Sequence, residues 1–213
     1  MKKIVLFAFA AMSMVAMAQR VTPLNVQISN VKLDSLRTLY VNEPTMWRAS
    51  LDVVSQQLVK NGEELKAAKA EFKAEQKHAA EKEKSLKDAT KMTASLRKLY
   101  TKEESELKSM QKTIEAQQKT LNKQTELNQE TRESYLTFLD KQQKELGYAL
   151  REVAERLRSV SELETSIQNN RTELQSYVLQ VQQKNIDITN LEKELKDRTA
   201  ALKAEQKTAK TLK

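Results

Sequence analysis

Few residues of this chain have the types and spacing that enzyme or metal chemistry requires. The 213 residues include one histidine, His78, and no cysteine. Metal sites need several ligands in fixed geometry, so we interpret His78, in a charged stretch, as an exposed surface side chain. The lack of cysteine excludes disulfides, thiolate ligands and cysteine nucleophiles. We predict no metal site and no cofactor.

Catalytic groups are equally sparse. Glu103 and Glu104 are adjacent, but acid–base catalysis by paired carboxylates needs a cleft that shifts their pKa values. The only glycines, Gly62 and Gly147, are too isolated to form a phosphate-binding loop. No serine or threonine lies in a nucleophile-elbow context. We therefore predict no catalytic residues and a protein that is not an enzyme.

The composition indicates long helices instead. The only prolines are Pro23 and Pro44, and none follows in residues 45–213. A proline-free stretch rich in Ala, Glu, Lys, Leu and Gln is typical of long helices and coiled coils. The predicted fold class is all-α, an elongated coiled coil over residues 44–213 with a small irregular N-terminal element.

The first eighteen residues have the layout of a secretory signal peptide. Lys2 and Lys3 precede an apolar run over residues 4–15, and residues 16–18 (Ala-Met-Ala) form a cleavage signal. The run is shorter than the ~20 residues that a membrane-spanning helix needs, although an uncleaved anchor is the alternative. We predict cleavage of residues 1–18 and a location in the bacterial periplasm or cell envelope.

The segment 19–43 has a different pattern from the rest. Apolar and polar residues alternate from Leu24 to Ile28, which predicts a short strand or an extended arm. Apolar residues from Leu33 to Tyr40 fall on one helical face. We predict a small N-terminal element that combines an extended arm with a short helix.

Two seven-residue apolar repeats follow, and they predict the seam of a coiled coil. In the first arm the seam residues are Leu51, Leu58, Leu65, Phe72, Leu86, Leu107, Ile114 and Leu121. In the second arm they are Leu146, Val153, Val160, Ile167, Leu174, Val181, Ile188, Leu195 and Leu202. The companion position, three residues after each seam residue of the first arm, is polar at Asn61, Glu75, Lys82, Glu103 and Gln117. Such residues either specify register and oligomer state or leave the helices loosely paired.

The two repeats are out of phase, which leaves two architectures open. One is a stutter within a single continuous helix, and the other is a long antiparallel helical hairpin. We favour the hairpin, with arms over residues 45–121 and 135–213, because a polar window at residues 122–134 lies midway between them. The window has no glycine or proline, but Asn128 tolerates a left-handed conformation that suits a turn.

The hairpin makes local predictions. It would place Leu51 near Ala209. Gly62 follows Asn61, and this pair favours a turn, so a helix break is predicted there. Gly147 lies within a good apolar pattern and is expected to be a tolerated helix glycine.

Met46 and Trp47 stand at the start of the long helix. They could dock the N-terminal element onto the helix base. The alternative is a contact with a partner, because tryptophan is enriched at interface hot spots.

The chain as a whole carries a net charge of +8. A signal peptide, a basic chain and helical arms together resemble the Skp family of periplasmic chaperones. In that family, coiled-coil tentacles extend from a small β-rich body and cage unfolded outer-membrane proteins. This chain departs from that pattern because it ends in helix-like residues 200–213, without a second strand-forming segment.

Two functions are consistent with these features. The first is a structural or scaffolding protein of the envelope that pairs helices with itself and with other envelope proteins. The alternative is a periplasmic holdase that binds unfolded outer-membrane proteins. We predict no nucleic-acid partner and at most peripheral membrane contact.

Overall fold

The computed structural model describes residues 20–40, 42–124 and 126–211. Within these ranges the chain forms three helices and no strand: α1 (Leu33–Tyr40), α2 (Pro44–Lys123) and α3 (Gln129–Thr211). The two long helices pack against each other, which confirms the predicted all-α helical hairpin. The predicted signal peptide lies outside the described residues.

Local sequence explains where the long helices begin. Pro44 occupies the first residue of α2, a position at which the missing proline N–H costs no helical hydrogen bond. Before α3, the side-chain oxygen of Asn128 accepts a hydrogen bond from the N–H of Glu130 at 3.1 Å, a helix N-cap. No non-glycine residue among those described has a positive φ. The left-handed conformation suggested for Asn128 is therefore wrong, because this residue ends the turn by capping the next helix.

The helix break predicted at Gly62 is also wrong, since α2 continues through it. A Cβ atom at Gly62 would lie 3.7 Å from Cδ2 of Leu195, an ordinary van der Waals contact. Gly62 therefore lies beside α3, and the packing here does not require a glycine. A Cβ at Gly147 would meet nothing within 4 Å. Gly147 is thus a helix glycine with open space around it, inside α3.

The hairpin divides into two compact units, each containing a piece of both long helices. The first, here called the loop unit, comprises residues 84–172. Its main core cluster joins Leu96 and Tyr100 of α2 to Val153 and Val160 of α3. Alternating large apolar residues from the two helices therefore close this part of the seam.

The second unit, the terminal unit, comprises residues 20–83 and 173–211 of the described chain. Leu51 and Ala209 lie in one core cluster, as the hairpin predicted, together with the buried Trp47 and Leu202. A second cluster is built around Leu65, Ala68 and Ile188. Helix α1 covers one end, because Leu33, Leu36 and Tyr40 pack on the first cluster.

Residues 20–32 form an extended segment along α2 and α3, here called the N-terminal arm. Val26 packs against both core clusters of the terminal unit, and Ile28 is buried in the first. No strand forms among the described residues because the arm lies against helices and bonds to their side chains. The arm adds a third layer to the two-helix seam.

Candidate interaction surfaces

The predicted seam residues lie in the interface between α2 and α3, with differing burial. Twelve of them are buried: Leu51, Leu58, Leu65, Leu86, Leu146, Val153, Val160, Ile167, Leu174, Val181, Ile188 and Leu202. Phe72, Leu107, Ile114, Leu121 and Leu195 remain partly exposed. The partly exposed seam residues of the loop unit all lie on α2 after Tyr100, whereas Leu139 and Leu146 of α3 are buried.

Asn61 was predicted only as an interruption of the seam, and the structure gives it partners. Its side chain is 2% exposed. The Nδ2 group donates to the carbonyl oxygen of Gln27 at 2.9 Å, and Oδ1 accepts from the N–H of Ser29 at 3.2 Å. The amide thus satisfies one backbone carbonyl and one backbone N–H of the extended segment, which a neighbouring strand would otherwise satisfy. Asn61 fixes the N-terminal arm on the hairpin.

Glu75, another polar seam position, belongs to a buried ionic cluster. Lys184 is 4% exposed, and its Nζ lies 2.9 Å from a carboxylate oxygen of Glu75 and 3.5 Å from one of Glu71. Glu75 also accepts a hydrogen bond from the N–H of Thr22 at 2.8 Å. One carboxylate therefore joins both long helices and the arm.

The burial of Lys184 could have been predicted from its position in the repeat, although a charged side chain suggests a surface location. The residue lies three positions after the seam residue Val181, as Tyr177 does after Leu174. It occupies a companion position, and companion positions face the partner helix. Asn61 bonds to the N-terminal arm, whereas Glu75 and Lys184 pair across the hairpin, so these polar companions of the terminal unit have specific partners.

The prediction that His78 is an exposed side chain is wrong. The ring is half-buried and meets the edge of the Tyr177 ring, with centroids 6.2 Å apart. Its Nε2 atom is buried and makes no hydrogen bond to the described residues. Lys82 Nζ lies 5.9 Å from the Tyr177 centroid, within cation–π range. Burial raises the pKa of the Tyr177 hydroxyl, and the charge of Glu75 raises it further.

The loop unit has its own polar contacts across the seam. Arg97 donates to both carboxylate oxygens of Glu164, at 2.8 and 2.6 Å. This bidentate bond lowers the pKa of Glu164 and raises that of Arg97. Glu103, a polar companion position, lies 3.5 Å from Arg156. These pairs fix the register of the two helices within the unit.

Met46 and Trp47 have different environments. Trp47 is fully buried in the first core cluster of the terminal unit, whereas Met46 is an exposed apolar side chain. The buried indole holds α1 and the arm to the helix base by packing. Only Met46 of this pair presents its side chain at the surface of the described chain.

An open groove lies in the loop unit, here called the loop groove. Its volume is about 550 Å³. From α2 it is lined by Met110, Thr113, Ile114 and Gln117, and from α3 by residues including Gln142, Glu145, Leu146 and Ala149. Met110 is 57% exposed although it occupies a companion position of the seam. The groove is the part of the seam that α2 and α3 do not close between themselves.

Aromatic side chains continue the loop groove toward the hairpin loop. Tyr135 and Phe138 are exposed. They lie seven and four residues before Gln142, so all three share one face of α3. Exposed aromatic and methionine side chains beside a groove are typical of interaction surfaces.

No group of three or more metal-ligating side chains occurs within residues 20–40, 42–124 and 126–211. None of the helices in these ranges is long and apolar enough to cross a membrane. Comparison with protein-family models, with curated proteins and with solved structures gives no match.

Proposed function

We propose that this protein is an exported structural protein of the cell envelope that acts by helix pairing, and that its loop groove is the pairing surface. The observation that carries the proposal is the set of exposed apolar side chains at the loop groove. Met110 of α2 and Tyr135 and Phe138 of α3 are all exposed there. The N-terminal sequence, with its signal-peptide layout, supports the envelope location.

The physical argument starts from the companion positions. Where these are apolar, as at Leu96, two helices bury a complete seam. Beyond Tyr100 they become Glu103, Met110 and Gln117. The two helices leave Met110 exposed here, together with Tyr135 and Phe138. Additional helices cover such side chains by packing into the groove between the first two. The exposed apolar groups therefore favour an assembly of more than two helices.

The partner that fits best is a second copy of this chain. The loop groove presents both apolar and amide groups, including Met110, Gln117 and Gln142. Its lining contains a single charged side chain, Glu145, so two basic chains can approach here without strong repulsion. An isologous dimer places the same patch on both subunits, and a four-helix contact would cover the groove.

The test is the oligomeric state of the mature chain, measured by sedimentation velocity across a concentration series. Met110→Glu with Phe138→Glu places four carboxylates in an isologous contact, and we expect the dimer to dissociate. Leu99→Glu is the matched control, because Leu99 is also an exposed apolar residue of the loop unit outside the groove. A chain that is monomeric at all concentrations would overturn self-pairing, and so would equal effects of the two changes.

A holdase is the second candidate, and the spread of exposed apolar residues favours it. The terminal unit exposes Leu39, Val53, Val59, Leu179 and Ile186, which are dispersed over all three helices. Binding many unfolded clients weakly would use such dispersed contacts. Crosslinking in native cells distinguishes the two candidates: capture of chiefly the protein itself supports the scaffold, and a broad set of unfolded outer-membrane precursors supports the holdase.

A further inference from the structure

A second groove lies in the terminal unit, between residues 62–69 of α2 and 192–203 of α3, and has a volume of about 630 Å³. Its apolar lining comes from Gly62, Leu195 and Ala200, together with the buried Leu65. Leu195 is a seam residue that stays partly exposed, and the glycine leaves the floor beside it open. We call this the lysine groove.

The rim of the lysine groove is strongly basic. It carries Lys66, Lys69, Lys196 and Lys203, against one acidic residue, Glu192. Glu192 is paired with Lys69. The other three lysines form no ion pair with the described residues, and all three are exposed. An apolar floor is thus bordered by three uncompensated positive charges.

The N-terminal arm leaves this groove free. The arm bonds to Asn61 and packs near Gln57 and Glu64 on α2. It reaches the same core cluster as Leu65, whereas Lys66 and Lys69 line the groove. No arm residue lines the groove. The arm therefore covers one side of the seam between α2 and α3, and the side with the lysine groove is open among the described residues.

We propose that the lysine groove binds an acidic amphipathic helix of another protein. The groove follows two turns of α2 and about three turns of α3, a length that suits a short helix with apolar anchors at i, i+3, i+4 and i+7. Leu195 and Ala200, with the open floor at Gly62, receive the anchors. Carboxylates beside the anchors meet Lys66, Lys196 and Lys203. Charge complementarity disfavours a second copy here, because the whole chain is basic.

The lysine groove is separate from the loop groove. Its test measures the affinity for a peptide, whereas the test of the loop groove measures the oligomeric state. The probe is a labelled helical peptide with leucines at the anchor positions and glutamates elsewhere, titrated with the mature chain by fluorescence anisotropy. A peptide in which lysines replace the glutamates is the control ligand. We expect the acidic peptide to bind, and its affinity to fall as salt rises.

Charge reversal locates the site. Lys196→Glu with Lys203→Glu should weaken binding of the acidic peptide about tenfold or more. Lys193→Glu with Lys207→Glu is the matched control, because these exposed lysines of α3 lie outside the groove. Gly62→Leu should also weaken binding, by filling the floor without changing charge. Far-UV circular dichroism verifies that each variant keeps its helices.

Several results would overturn the proposal. Equal binding of the acidic and lysine peptides would show that charge does not select the ligand, and equal weakening by the two lysine pairs would place binding elsewhere. Binding to anionic lipid vesicles that depends on Lys196 and Lys203, without peptide binding, would assign the groove to a membrane surface. The oligomeric state of the chain decides none of these results, so failure here is distinct from failure of the loop groove.

Discussion

Replacing Asn61 with leucine should have one effect if the heptad pattern alone is considered and the opposite effect if the observed contacts are considered. A leucine at a companion position of a coiled coil should strengthen the seam. In the structure, however, the Asn61 amide holds the N-terminal arm through Gln27 and Ser29. Two hydrogen bonds of this kind contribute about 1–3 kcal/mol in total. The variant should therefore weaken docking of the arm by roughly five- to hundredfold, while α2 itself remains helical.

Hydrogen–deuterium exchange with mass spectrometry measures this effect directly. Peptides that cover residues 20–32 should exchange faster in Asn61→Leu by about the same factor. Gln56→Leu is the control, since Gln56 is an exposed residue of the same helix, and should leave the arm protected. Unchanged or slower exchange of the arm in Asn61→Leu would refute the assignment of Asn61 as its anchor.

Three further predictions concern stability, each measured by urea unfolding. Lys184→Met leaves the largely buried Glu75 carboxylate without its main partner and should cost about 1–3 kcal/mol. Adding Glu75→Leu should restore most of this stability, and a fully stable single variant would contradict the ion pair. Gly147→Ala should stabilise by about 0.5–1 kcal/mol, since its Cβ meets no atom within 4 Å, and a loss would show that the site is tighter than described. Because Arg97 lowers the pKa of Glu164, the ionised carboxylate stabilises the fold above its ordinary pKa, and this is lost as pH falls through the lowered value. The free energy of unfolding of the wild type should therefore exceed that of Glu164→Gln at pH 7 but not in strong acid. A difference in stability that persists in acid would contradict this assignment.

The hairpin could be predicted because the apolar residues that repeat along the sequence are the ones that pack between the two helices. Apolar residues seven apart face one side of a helix, and the polar window separates two such stripes of equal length. The register of the two helices could also be predicted, since Leu51 and Ala209 share a core cluster as expected. Folding at the window lets each stripe bury the other.

The partners of the polar positions could not be predicted. Asn61 looks like a defect in the repeat until the arm lies against it, and periodicity carries no information about where a third element packs. Lys184 looks like a surface lysine until two helices and the arm enclose it with Glu75. The half-buried position of His78 has the same origin, since it depends on Tyr177 of the other helix. Contacts between distant segments need the tertiary structure.

The wide sequence separation within the terminal unit has a consequence for the order of events during synthesis. Residues 84–172 make up the loop unit, so the ribosome has supplied all of it before α3 is finished. The arm emerges much earlier, but Val31 must wait for Arg198, 167 residues later, to donate to its carbonyl oxygen. Until then Val26 and Ile28 have no complete core to enter. The stretch of the described chain that is made first thus meets Asn61 early but completes its native contacts only when α3 is made.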